Sequence, residues 1–214
     1  MKKTLLLTLL LLSAKFSFLS GQSLQAYVDQ KIFYLPDGKA AFEVYVQINC
    51  QTVAYEIVKP GVVKSKVMVT EIIRRGENEV VDFRKQEVQS TEMLDTALTD
   101  FIDQQRFVLE PGKYFFDFEI IDMLRKDAKP AKITKEIVIA PKPENISFSN
   151  IQLIETYKKS IEQTIYTKSG LDIMPFVTGF YPPEFEKIAF YAEIYQSTKT
   201  FGIEEKFTLM QYIE

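Results

Sequence analysis

The sequence predicts an all-β protein, a tandem of immunoglobulin-like antiparallel β-sandwiches in which the second unit is incomplete. Three observations carry this. Apolar and polar residues alternate with period two in segment after segment, the pattern of strands with one face buried. Short turn signals separate these segments, as they do in antiparallel sandwiches. The alternation then breaks at Pro141-Lys142-Pro143-Glu144, where two prolines cannot donate ladder hydrogen bonds and favour an extended spacer.

Taken in order, the first unit spans residues 22–140 and opens with a strand over Leu24–Phe33. Ala40–Ile48 has the clearest alternation: Ala40, Phe42, Val44, Val46 and Ile48 point inward, and Glu43, Tyr45 and Gln47 outward. Cys50, inside the alternating strand next to Asn49, reads as a small buried hydrophobe. Strands are expected over Val53–Val58, Lys66–Ile73 and Val80–Lys85, divided by Pro60-Gly61 and Gly76-Glu77-Asn78. Residues 91–105 fit two readings, an amphipathic helix on Met93, Leu94, Ala97, Leu98, Phe101 and Ile102, or a loop followed by a strand from Phe101. The second is favoured, because no capping box opens a helix and Pro111-Gly112 then closes a hairpin.

A long strand over Lys113–Ile121 follows, with Tyr114, Phe116, Phe118 and Ile120 on one face. Tyr114, just after the turn, is either a tyrosine corner returning its hydroxyl to the backbone or a plain core residue. Ile133–Ala140 completes the unit. After the linker 141–145, the second unit over 146–214 carries candidate strands at Ile146–Ile154, Asp172–Phe180, Lys187–Tyr195 and Lys206–Glu214. It holds only about 70 residues where such a sandwich takes about 100. A partner chain, or a missing C-terminal region of its own, is therefore expected to complete it.

The composition removes whole classes of function. With His 0 and Cys 1, histidine-based triads and histidine–zinc sites are excluded, and no cofactor or metal is expected. Lys2 and Lys3, the run Leu5–Leu12, and small residues at Ser20 and Gly21 read as a secretory signal peptide over 1–21. Ser13 and Lys15 break the run well short of the ~20 apolar residues of a membrane span. No stable membrane anchor is expected, and the protein reads as exported to the periplasm or outer surface. Removing the segment leaves 23 basic residues against 29 acidic ones and shifts the net charge from −3 to −6, so nucleic acid is not an expected partner.

Three segments together suggest a family: Asp100–Tyr114 (DFIDQQRFVLEPGKY) leading to Ile121-Asp122, Ile146–Leu153 (ISFSNIQL) and Ile188–Tyr195 (IAFYAEIY). Over most of residues 23–214 the chain resembles the N-terminal β-sandwich region of exported bacterial proteins that carry a GWxTD domain further along. The Gly-Trp-x-Thr-Asp motif itself is absent, since the chain has no Trp. The resemblance implies an envelope protein with immunoglobulin-like modules.

Candidate site residues follow from exposed chemistry. Aromatic residues make up 13% of the chain, and flat rings bind sugars or peptides. Tyr27, Tyr45, Tyr191 and Tyr195 fall on outward positions, which either form a binding surface or pack against a neighbouring unit. The loop holding Phe180 and Tyr181 is a contact surface or an inter-domain plug. Carboxylates such as Asp117, Glu119 and Asp122 read as solvated or turn-forming rather than catalytic, and Asp122 with Asp127 makes only a weak calcium pair. Asp95-Thr96-Ala97 resembles the Asp-Thr-small acceptor of bacterial O-glycosylation, making Thr96 a glycosylation candidate. The expected function is a non-enzymatic interaction module of the cell envelope that binds protein partners through loops or strand edges. A glycan-binding module is the alternative.

Overall fold

The computed structural model describes residues 23–179, 181, 183 and 185–212; the expected signal segment 1–21 and Phe180 lie outside the described residues. Nine strands precede the linker: β1 (Ala26–Tyr34), β2 (Ala40–Ile48), β3 (Tyr55–Lys59), β4 (Val62–Arg75), β5 (Glu79–Gln89), β6 (Met93–Leu94), β7 (Phe101–Leu109), β8 (Gly112–Asp122) and β9 (Ala131–Ile139). Six follow it: β10 (Ser147–Phe148), β11 (Gln152–Lys159), β12 (Thr167–Lys168), β13 (Leu171–Pro175), β14 (Ala189–Tyr191) and β15 (Ile194–Tyr195), before the short helix α1 (Ser197–Phe201). The fold is all-β and its ladders are antiparallel.

The first unit is a sandwich of two sheets. One has the order β1-β2-β7; the other runs β5-β4-β8-β9, with β3 and β6 flanking the N-terminal end of the long β4. This is the A-B-E against C′-C-F-G arrangement of immunoglobulin-like sandwiches. Apolar alternation dictates it: β4 buries Val63, Val67, Val69 and Ile73, and β8 buries Tyr114, Phe116, Phe118 and Ile120. These meet Phe42, Val44, Phe107 and Leu109 in one core. Phe42 meets Phe116 edge-on, with ring centroids 5.6 Å apart. Tyr114 is a tyrosine corner: its hydroxyl donates to the Glu110 carbonyl at 2.9 Å.

One core position breaks the pattern. Glu71 lies on the inward face of β4 between Val69 and Ile73, fully buried, and neither carboxylate oxygen has a hydrogen-bond partner. Burial, reinforced by the nearby Asp103 carboxylate and opposed by Arg84, lifts its pKa to about 8.

Several sequence expectations are corrected. The helix alternative for 91–105 gives way to the two-residue β6 and the strand β7 from Phe101. Cys50 is buried as expected, but in a 3₁₀ turn after β2 rather than within a strand. Ile146–Ile154 is two strands, split where Ser149 turns aside to accept the Glu193 amide on its Oγ. Lys187–Tyr195 is likewise divided into β14 and β15. The strand expected over Lys206–Glu214 is absent from its described residues, 206–212, because the alternating side chains find no ladder to join. Phe207, Leu209, Met210 and Tyr212 stand exposed there.

The second unit is a sheet ordered β12-β13-β11-β14 with a two-stranded β10-β15 ladder beside it. It covers the outer face of β1-β2-β7, which changes the environment of the outward residues of β2. Glu43 and Tyr45 point away from the first core as expected, yet both are buried.

Candidate functional site

The junction between the units gathers Glu43, Gln104, Gln152 and Lys168 into one buried polar cluster. Its centre is Lys168 of β12, whose ammonium lies 2.6 Å from Glu43 Oε2, 2.6 Å from Gln152 Oε1 and 3.1 Å from the Tyr45 hydroxyl. It also stands 3.5 Å above the Phe33 ring. Arg106 of β7 holds the other oxygen of Glu43 at 2.7 Å. Arg106 and Gln104 both donate to the Ile165 carbonyl. Tyr45 donates to Glu43 Oε2, and burial raises its phenol pKa first, with Glu43 adding to the effect. Burial lowers the Lys168 pKa to about 8, and Glu43 opposes that shift without cancelling it. Each charge here has a partner, so the cluster is a tie between units.

The aromatic candidates sit within or beside this tie. Tyr191 donates to Glu193 Oε1 at 2.9 Å, and its hydroxyl lies 3.1 Å from Ser169 Oγ. Its ring lies 5.8 Å from Phe33. Tyr195 donates to Glu193 Oε2 and accepts the Tyr34 amide at 2.9 Å. With Asn150 Oδ1 accepting the Ile32 amide, this caps the outer edge of β1. Desolvation raises the pKa of both phenols, that of Tyr191 to about 12. Tyr181 stacks on Phe176 with centroids 4.2 Å apart, its hydroxyl 3.0 Å from the Ile154 and Ala189 carbonyls. The structure thus brings Tyr191 and Tyr195 together against the first unit and leaves Tyr181 in a separate aromatic cluster. Tyr27 is exposed on β1.

Sequence reasoning did not single out Lys168, Gln152 or Arg106. The available signal was Glu43 itself, one charge inside the apolar run Ala40–Val46, whose burial on both faces requires a cationic partner. Asp122 is turn-forming: it is buried and accepts the Ala54 amide at 2.7 Å and the Leu124 amide at 3.0 Å. Among the described residues no group of three or more His, Cys, Asp or Glu side chains converges to hold a metal.

A surface open to a partner lies at the N-terminal end of β4. There β3, β4 and β6 form a short ladder closed by Pro60-Gly61, Gly61 adopting φ +75° at the turn. All five residues of β3 are exposed, Ile57 at 76%, and Tyr55, Val58 and Leu94 add apolar surface on either face. Among the described residues β3 pairs only with β4, so its other edge presents free amides and carbonyls. Thr96 is exposed in the adjoining tight turn, where the Ala97 amide donates to the Leu94 carbonyl.

No family model matches the chain, and no curated protein does. Solved structures similar to it include a calcium-binding mutant of Bacteroides uniformis beta-glucuronidase 2, with 12% identity and a TM-score of 0.37. That match covers 57% of this chain and 13% of that one. Another is the ApaA protein from Bordetella pertussis, with 17% identity and a TM-score of 0.30 over 58% of this chain and 98% of that one. At those values neither likeness carries an inference about activity, and this chain spans only a small part of the glucuronidase.

Proposed function

We propose that this chain is a non-enzymatic interaction module of the bacterial cell envelope that binds a protein partner by strand addition along the outer edge of β3. The observation that carries this reading is β3 itself, an outermost strand exposed at every position and bearing Tyr55, Ile57 and Val58. Soluble proteins shorten, charge or cover such edges, and an uncovered apolar one suits β-augmentation. The exported setting rests on the signal-like N-terminus, and the envelope family on the resemblance of three segments to the region preceding a GWxTD domain. The test is photo-crosslinking in the native host, with a benzophenone residue in place of Ile57 and a control at Glu77, which is exposed in the turn between β4 and β5. A defined adduct at 57, lost with Val58→Pro, is expected. Equal labelling at both positions would overturn the assignment.

The glycan-binding alternative is favoured by a different observation. Tyr157, 60% exposed, and Tyr166 line a hollow of about 420 Å³ with Lys158 and Asp172. Saturable binding on a glycan array, lost with Tyr157→Ala, would support it over the protein-partner reading.

A further inference from the structure

In the larger sheet β9 forms the edge opposite β5, and that edge is free. Among the described residues β9 pairs only with β8. Its first six residues, Ala131–Glu136, are exposed although the strand is fully registered on β8. Ile133 shares the core-facing side with the buried Ile137 and Ile139, yet is 47% exposed. It borders a hollow of about 520 Å³ between β9 and β1, lined also by Leu24, Phe118 and Ile120. The sandwich therefore stands open along this side, with an unpaired ladder edge at its rim.

The geometry points to a second copy of this chain as the occupant, its β9 pairing antiparallel with this β9 about a two-fold axis through Thr134. Around a two-fold axis one residue lies opposite itself, and the choice of that residue fixes every cross-strand pair. Thr134 on the axis places Lys132 opposite Glu136 of the second copy, and Glu136 opposite its Lys132. Registers centred on Lys132, Lys135 or Glu136 set like charges directly opposite one another, which is destabilising. A register centred on Ile133 matches neither charge with its opposite. The charge pattern of the strand thus selects one register and one partner, itself. In the single chain Lys132 already pairs with Glu119 of β8, so across the axis it would stand between two carboxylates. The interface joins sheets edge to edge into a continuous eight-stranded layer and brings the two open sides together. It uses β9 rather than β3 and is argued independently of the partner-binding reading.

Sedimentation equilibrium of the exported chain at concentrations up to on the order of 100 μM, where an edge-sized interface is populated, tests this. A reversible monomer–dimer equilibrium is expected. Lys132→Glu and Glu136→Lys should each weaken it at least tenfold, and the two together should restore it. All of these positions are exposed, and circular dichroism checks that each variant folds. Thr134→Cys supplies a second readout: opposed residues in an antiparallel pair lie about 4.5–5.5 Å apart between Cα atoms, within disulfide reach. An oxidised dimer should form through Cys at 134 and be lost on adding Lys132→Glu, while the buried native Cys50 stays reduced. A chain monomeric throughout that does not crosslink at 134 overturns the proposal. So does a dimer indifferent to both charge changes, or a double variant that stays monomeric.

Discussion

Replacing Glu71 with Gln should make the protein more stable at neutral pH and remove much of its pH dependence. The carboxyl is fully buried on the core face of β4 without a hydrogen-bond partner, and its pKa rises from 4.5 to about 8. A raised folded-state pKa means that the native protein holds this proton more tightly than the unfolded chain does. The stabilisation is complete below pH 4.5 and declines as pH climbs, with the loss finished above about pH 8. At 1.36 kcal/mol per pKa unit, the cost is about 3 kcal/mol at pH 7 and about 5 kcal/mol once ionisation is complete. Gln keeps the shape and carries no charge. Urea unfolding of both proteins at pH 5 and pH 8.5 is the assay. The two should coincide near pH 5 and diverge by several kcal/mol at pH 8.5, the variant being the more stable. Parallel pH profiles, or a variant less stable at pH 8.5, would refute the argument that an uncompensated carboxylate sits in this core.

Lys168→Met should destabilise the native state by about 2–4 kcal/mol, because Glu43 loses one of its two cations while staying buried; thermal unfolding measures it. Tyr114→Phe deletes the hydroxyl that bonds Glu110 and should cost about 1 kcal/mol in chemical denaturation without changing the fold. If Thr96 is an acceptor, the tryptic peptide spanning it from native-host protein should carry added glycan mass, and Thr96→Ala should abolish that mass. An unmodified peptide would end that assignment.

What was legible in the sequence is what local alternation encodes. The alternation of β2 and β8 gave their extents to within a residue and their inward faces, since a pattern with period two leaves only one way to bury valine and phenylalanine; of β4 it gave the stretch Lys66–Ile73. The Glu-Pro-Gly-Lys-Tyr turn left Tyr114 open between a tyrosine corner and a plain core residue, and the bond from its hydroxyl to the Glu110 carbonyl decides for the corner. Long-range complementarity was not legible. Nothing near Glu43 announces that Lys168 will reach it, since the two are joined only when the second unit docks. The role of Tyr191 and Tyr195 depends on that docking too, because an outward position on an isolated strand becomes interior once another sheet arrives. The segment 206–212 misled for the opposite reason: its alternation is genuine, but a strand exists only where a neighbour offers a ladder.

Docking of the second unit over β2 also fixes a temporal order. Lys168 and Tyr45 are 123 residues apart in the chain. The first unit is complete only at the end of β9, Ile139, 29 residues before Lys168, so at about 5–20 residues per second of synthesis it would wait roughly 1.5–6 seconds before the lysine emerged. During that interval the face bearing Glu43, Tyr45, Gln104 and Arg106 meets water or whatever factors escort the nascent chain. A fully apolar face there would be a target for aggregation, whereas one built around a carboxylate and a guanidinium stays wettable until the lysine arrives. The polar character of this buried layer is thus as well suited to the waiting chain as to the finished one.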